Sequence, residues 1–315
     1  MNKRHLPVLA GIAVAFIFGF SFTVTKSALG SLGPFHMLGL RFMFAALLLW
    51  LLRILGLIKI RYSGKSLRTL FFLALFQPVL YFIFETTGIG LTTASESGMM
   101  IALIPVVAAI LGAVFLKERP GLAQWIFIII SVGGVFFIAL MRKTETQGSI
   151  AGVAMLLIAV IASGGYNILS RKLSVRFSPM EITFMMMNTG FVVFNGIAVT
   201  EHIARGGLSE YFLPLKNPGT FFSMAYLGIL SSVAAFFMVN YMLSRLEATK
   251  VAVFGNLITV VSIAAGILVL GETLHWFHAI GAVLILIGVW GTNYYGAAAR
   301  IAGMAIMEEH NGKPG

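Results

Sequence analysis

The sequence predicts an all-α membrane protein of ten transmembrane helices, built as two inverted five-helix repeats with both termini cytoplasmic. Three observations predict it: the apolar composition, the charge bias between alternate loops, and an internal repeat. Of the 315 residues, 59% are hydrophobic and 10% are charged, and the mean hydropathy is +0.96. A soluble domain is about 45–50% apolar and about 25% charged. So much apolar surface needs lipid as its solvent. Ten spans of about 20 residues use roughly 200 residues, which leaves short loops and no large soluble domain.

Apolar runs bounded by charges, Pro or Gly place the spans near 7–26, 34–53, 69–91, 93–116, 121–141, 150–170, 179–200, 219–241, 249–270 and 275–295. The third and fourth runs nearly merge, and Gly88, Gly90 and the stretch Thr92-Thr93-Ala94-Ser95-Glu96 separate them. Asn2-Lys3-Arg4-His5 before an apolar run resembles the start of a signal peptide. No small-residue cleavage site follows, so the segment reads as an uncleaved first helix.

Orientation follows from Lys and Arg. With the N-terminus inside, the inner segments collect Lys3 and Arg4, the cluster Arg53, Lys59, Arg61, Lys65 and Arg68, then Lys117, Arg119, Arg171, Lys172, Arg176, Arg245, Lys250, Arg300 and Lys313. The outer loops hold only Arg142, Lys143, Arg205 and Lys216. Cytoplasmic loops carry such an excess, which also accounts for the net charge of +11 without nucleic acid. Trp50, Trp125, Trp276, Tyr294 and Tyr295 fall near predicted helix ends, as interfacial anchors do.

The repeat is visible on shifting the chain by 154 positions. Ala94, Ile104, Gly112, Leu116, Glu118 and Gly134 then fall on Ala248, Ile258, Gly266, Leu270, Glu272 and Gly288. In the first two helices of each half the offset is shorter, so that Gly19 and Pro34 echo Gly164 and Pro179. The expected units are 1–145 and 146–300, followed by a cytoplasmic tail at 301–315. An odd number of helices per unit turns the second copy upside down. Inverted repeats of this kind build secondary transporters, with the substrate site near midplane where the halves meet.

Certain segments carry a family resemblance. They are Phe18-Gly19-Phe20-Ser21-Phe22, Pro34 with Leu40-Arg41-Phe42, Thr93-Ala94-Ser95 leading to Ile104-Pro105-Val106, and Leu116-Lys117-Glu118-Arg119. The second copy adds Leu246-Glu247-Ala248-Thr249 and Leu270-Gly271-Glu272-Thr273. In these the chain resembles the drug/metabolite transporter superfamily, the EamA-type ten-helix exporters, over nearly its whole length to about residue 295. Two positions depart from that pattern. Phe18-Gly19 stands where Trp-Gly is frequent, and Thr259 stands where a Pro is expected, which removes the reason for a kink in helix 9. The resemblance implies alternating access to a central cavity and outward movement of small metabolites, amino acids or drugs, often against a proton gradient.

A charge at bilayer depth costs at least about 2.5–3.5 kcal/mol, so it normally faces protein or water. Arg41 in helix 2 and Glu85 in helix 3 both sit roughly 4–9 Å beyond midplane at 1.5 Å per residue. Gln77 and Tyr81 share a helical face with Glu85, at spacings of eight and four. Glu85 is read as binding a cationic substrate group or the coupling proton; the competing readings are a fixed ion pair with Arg41 and a snorkelling side chain. Glu96 is read as a mouth residue, and Lys26 as snorkelling to the outer surface. Tyr166 and Asn167, with Ser163 and Ser170, form a polar face of helix 6, and Asn188, Asn240 and Asn256 add amides to helices 7, 8 and 9. Those amides serve equally well to bind a polar substrate or to tie helices together. Gly112, Gly266 and Gly288 read as close-packing surfaces.

Other classes fare worse. The chain has neither Asp nor Cys, which removes aspartyl and thiol chemistry, and His275 and His278 read as an interfacial pair rather than metal ligands. Gly64-Lys65-Ser66 resembles the end of a phosphate-binding loop, yet Lys59 occupies the place of its first Gly and no nucleotide fold fits. A channel or lipid scramblase is the alternative that residue types leave open, with an intramembrane enzyme behind it. The expected partners are a small-molecule substrate, membrane lipids and a second copy of the chain in a homodimer. No cofactor or metal is expected.

Overall fold

The computed structural model describes residues 6–115, 120–145, 150–246 and 248–311. Within them every regular element is helical. Taken as membrane-crossing units, the helices are α1 (Leu6–Ala28), α2 (Pro34–Ile54), α3 (Arg68–Leu91), α4 (Ala94–Val114) and α5 (Leu122–Glu145), then α6 (Ile150–Leu173), α7 (Pro179–Ala204), α8 (Pro218–Arg245), α9 (Ala248–Leu270) and α10 (Trp276–Asn311). Lys3, Arg4, Leu116, Lys117, Glu118, Arg119, Glu247 and Lys313 from the sequence reading lie outside the described residues. The spans otherwise begin and end within a few residues of the apolar runs. The exception is α10, which continues as a helix to Asn311, into the segment read as a tail.

Local chemistry sets the helix starts. Pro34, Pro179 and Pro218 occupy the first helical turn, where a missing N–H costs nothing. Thr93 with Glu96 and Ser178 with Glu181 form capping boxes, each satisfying two orphan N–H groups. On the inner side, Lys65 donates to Glu181 at 2.7 Å, and the Tyr62 hydroxyl donates to the Glu181 carbonyl at 2.7 Å. The α2–α3 loop is thereby pinned to the start of α7. Burial and the nearby Glu181 carboxylate push the Tyr62 phenol up, so it stays protonated as the donor. On the outer side, Tyr211 donates to Asn195 at 2.6 Å, its phenol pushed up by burial to about 12.

Packing follows the repeat. Helix α2 lies along α7 and α5 along α10, while the packing of α1 on α9 and α8 is mirrored by that of α6 on α4 and α3. Between a third and a half of each apolar window is buried. The remainder carries exposed side chains such as Phe136 at 70% and Leu268 at 82%, the surface a lipid belt covers. Gly266 and Gly288 are close-approach points as the sequence suggested; a Cβ on Gly288 would lie 2.5 Å from Ser131.

Two deviations from regular helix shape the centre. In α3 the chain is broken at Gln77 (φ −149°, ψ 117°), next to Pro78, which has no N–H to give and crowds the preceding turn. In α8 the turns widen over Tyr226–Ala235 into π-type geometry, a feature frequent at functional sites. Shifted by 154, the α3 distortion at Leu75–Leu80 falls inside the α8 one, so each repeat deforms its third helix at the same level. The fourth helices differ. Helix α4 is interrupted at Ala102–Leu103, ahead of Pro105, whereas α9, with Thr259 at the equivalent place, is continuous. Thr259 instead donates to the Gly98 carbonyl at 3.1 Å and ties α9 to α4.

Candidate substrate site at the repeat interface

Arg41 is 2% exposed and is held from the opposite repeat. Its Nε donates to Ser232 Oγ at 2.8 Å and its Nη2 to Ser231 Oγ at 3.0 Å, both on the widened part of α8. The guanidinium lies over the Phe82 ring, 4.3 Å from its centroid. Stacking satisfies one face of a cation that cannot shed its proton. Gly228 makes the approach possible: a Cβ there would sit 2.6 Å from the Arg41 carbonyl oxygen. An aromatic wall continues from Phe82 to Phe42 at 5.1 Å and to Phe236 at 5.9 Å, and from Phe236 to Phe18 at 5.2 Å.

Glu85 is 5% exposed and accepts one hydrogen bond, from the Tyr81 hydroxyl at 3.0 Å. Its other carboxylate oxygen is buried and unpartnered. Arg41 and Glu85 are close enough to attract each other electrostatically. Among the described residues, however, they make no ion pair, so the fixed bridge between α2 and α3 is not what holds this arrangement. Glu85 is also too buried to snorkel. Gln77 is buried beside the same helix, but the break at that residue means it does not follow the regular spacing that brings Tyr81 onto Glu85.

The second-half residues form a separate, satisfied group. Tyr166 donates to Asn240 Oδ1 at 2.6 Å, Ser170 donates to the same oxygen at 3.0 Å, and Asn240 Nδ2 donates to Thr183 at 3.1 Å. This joins α6, α7 and α8. Asn167 is half-buried, one position from that network. Asn188 accepts from Trp50 Nε1 at 2.8 Å and donates to the Phe184 carbonyl at 2.8 Å, so it clips α7 to α2 beside a Trp that is 44% exposed. Asn256 is half-buried on α9 with its amide oxygen unpartnered.

Three outer-side expectations are corrected. Glu96, read as a mouth residue, is 3% exposed and bonded to His278 Nε2 at 2.9 Å. His278, read as interfacial, is itself 4% exposed. Lys26 is half-buried, and its ammonium is held by protein rather than by solvent alone: it donates to the carbonyls of Ile89 at 2.9 Å, Gly90 at 3.0 Å and Thr92 at 2.5 Å, neutralising the negative end of α3. Nearby, Glu272 accepts from the backbone N–H groups of Ala94 at 2.6 Å and Ser95 at 2.9 Å, placing a carboxylate on the positive end of α4. The sequence reading missed Ser231, Ser232 and the role of Glu272. The adjacent serines in an otherwise apolar span were the available signal for the first two.

Ten apolar helices in two symmetry-related sets, with opposite charges buried where the sets meet, define a polytopic membrane transporter. The chain belongs to the EamA-like transporter family, whose model matches residues 5–140 and again 150–294. It is 39% identical over 293 residues to the uncharacterized transporter YcxC of Bacillus subtilis (strain 168), covering 93% of this chain and 94% of that protein. An uncharacterized transporter of Archaeoglobus fulgidus is 28% identical over 283 residues, covering 90% and 96%. A probable amino-acid metabolite efflux pump of Escherichia coli (strain K12) is 23% identical over 303 residues, covering 95% and 98%. A solved crystal structure shares the fold at TM-score 0.58 and 16% identity, covering 90% of this chain and 95% of that one. The protein is a multi-pass plasma-membrane protein whose work is membrane transport, with a small-molecule substrate and a lipid surround.

Proposed function

We propose that the chain is a secondary transporter that exports a small metabolite, amino acid or drug by alternating access, with Glu85 and Arg41 meeting the substrate and Glu85 carrying the coupling proton. The observation that carries this reading is the buried Glu85 oxygen without a partner, within electrostatic reach of a guanidinium that is anchored elsewhere. A buried charged group left half-satisfied is expensive. Such an expense is tolerated where a ligand or proton completes the site. A zwitterion suits it well, its ammonium taken by Glu85 and its carboxylate by the free edge of Arg41, with the Phe walls receiving the apolar part. The name of the E. coli relative is in keeping with such a cargo.

The serines that hold Arg41 belong to the second repeat, while Arg41 and Glu85 belong to the first. When one repeat rocks against the other, α8 carries the serines away and Arg41 turns to Glu85 or to the substrate. Arg41 thereby links the access state to the charge state of the site. The test is transport by Glu85→Gln in proteoliposomes, against a panel of amino acids and cationic drugs with an imposed pH gradient. Gradient-driven flux should fall by about 100-fold, in line with 2–5 kcal/mol for truncating a buried charged partner, and its pH dependence should flatten while expression stays normal. Unchanged, fully pH-dependent transport would overturn the assignment.

A further inference from the structure

The inner face carries a second site-like feature. A cavity of about 310 Å³ opens where the α2–α3 loop meets the α6–α7 turn, lined by Gly64, Lys65, Ser66, Thr69, Arg176 and Phe177. That volume is at the lower bound of small-ligand pockets. The first four residues belong to the first repeat and the last two to the second, so the cavity bridges the halves. It is formed by the loop whose Gly64-Lys65-Ser66 resembled a phosphate-binding end. The loop turns at Gly64 with φ +73°, a conformation that suits glycine.

Its polar lining is of one kind. The Ser66 and Thr69 hydroxyls and the exposed Arg176 guanidinium have no side-chain hydrogen-bond partner among the described residues. Lys65 stands over the Phe177 ring at 5.2 Å and pairs with Glu181 at 2.7 Å. The Glu181 carboxylate beside Lys65 is already occupied by Lys65, the Arg61 N–H and the Ser178 N–H. None of the lining residues is acidic. Cations, hydroxyl donors and an apolar floor at the level of the inner helix ends match a phosphate-bearing anion. Basic pockets between spanning helices on the cytoplasmic side bind anionic headgroups in this way.

We infer that this cavity is a binding site for a phosphate group, carried by an anionic lipid headgroup or by a soluble phosphate, and distinct from the central transport site. Because both repeats line it, occupancy stabilises this relative placement of the halves. The test is binding and thermal stability of the purified full chain in neutral detergent. The probes are phosphatidylglycerol, phosphatidylcholine at equal mole fraction, and inorganic phosphate. Phosphatidylglycerol should bind and raise Tm, and phosphatidylcholine should not. Arg176→Gln should weaken phosphatidylglycerol binding by about 5-fold, the equivalent of about 1 kcal/mol per cation at a membrane surface. Thr69→Val, which keeps every charge, should weaken it as well, and serves alone if the Arg176 variant folds poorly. A Tm rise with inorganic phosphate that Arg176→Gln and Thr69→Val both reduce, with no response to the lipid, would support the site and assign it to a soluble ligand. Failure of both phosphatidylglycerol and inorganic phosphate to bind, or equal binding by the wild type and both variants, would overturn it.

Discussion

The two halves of the molecule fill equivalent places with opposite chemistry. By the offsets of the repeat, Arg41 in the first half corresponds to Met186 in the second, Glu85 to Val239, and Thr86 to Asn240. In the second half, Tyr166, Ser170, Asn240 and Thr183 close a neutral network in which the Asn240 amide is bonded at both ends. In the first half a guanidinium and a carboxylate stand near each other without pairing, and one carboxylate oxygen has no partner. Satisfied polar groups rigidify, whereas a group kept buried and incomplete needs another reason to persist. One copy of the repeat thus holds a closed neutral network and the other an open pair of charges, which on the proposed function are the charges a substrate meets.

The most severe way to break this comparison is to write the second half into the first. Arg41→Met with Glu85→Val replaces two buried charges by the residues found at the equivalent positions. Exchanging buried ionic groups for apolar ones of similar volume is often neutral or stabilising by about 1–4 kcal/mol. Relief of two buried charges is then set against one stranded hydroxyl, that of Tyr81, at about 1–3 kcal/mol. The double variant should therefore fold with a Tm close to that of the wild type and yet lose about 100-fold or more of its transport rate, as loss of at least 2.8 kcal/mol of binding implies. Retained transport would show that the charges are scaffold after all.

A milder change tests the anchor. Ser231→Ala with Ser232→Ala removes both acceptors of Arg41 from the second repeat. Two hydrogen bonds to a charged group are at stake, each worth about 1.5–3 kcal/mol, but Arg41 still has Glu85 to turn to. The expected result is a transport rate lower by about 10-fold, with substrate affinity altered more than expression. A loss of folding with no change in the affinity of the residual protein would make the serines purely structural.

Asn240→Leu should behave in the opposite sense. It strands the Ser170 hydroxyl, leaves the Tyr166 hydroxyl only the Met186 sulfur at 3.0 Å and takes the donor from Thr183, for a stability loss of about 1–3 kcal/mol. Transport per folded molecule should stay within about 3-fold of the wild type. If transport vanishes while Tm holds, the network handles substrate and the division of labour between the halves is wrong.

Helix positions and their repetition were legible because hydrocarbon demands long apolar runs, and Pro, Gly and capping residues mark where those runs start and stop. The effect of Thr259 was legible too, since a missing Pro predicts a continuous α9. The intramembrane charges Arg41 and Glu85 stood out for the same energetic reason. What they touch did not. The serines that hold Arg41 are 190 and 191 residues away in sequence, and the Glu96–His278 bond spans 182. Lys26 read as an exposed helix end because nothing local shows that the carbonyl end of α3 lies beside it. Spacing finds a face; only the rotation of each helix in the bundle decides whether that face meets a cavity, a neighbour or lipid.

The smallest effect concerns Asn188, whose role separates those options. Trp50→Phe keeps an aromatic ring against Phe184, which lies 5.5 Å away, and removes only the N–H donated to Asn188. Asn188 retains its bond to the Phe184 carbonyl, so no amide hydrogen of that contact is stranded. Interhelical hydrogen bonds in a bilayer average about 0.6 kcal/mol, so Tm should fall only slightly and transport should not change. Because Trp50 is near the outside of the bundle, a fall in transport of about 10-fold or more, far beyond what that bond is worth, would mean that Asn188 reads the substrate. The cargo route would then run along the α2–α7 seam, and the second half would be a recognising half as much as the first.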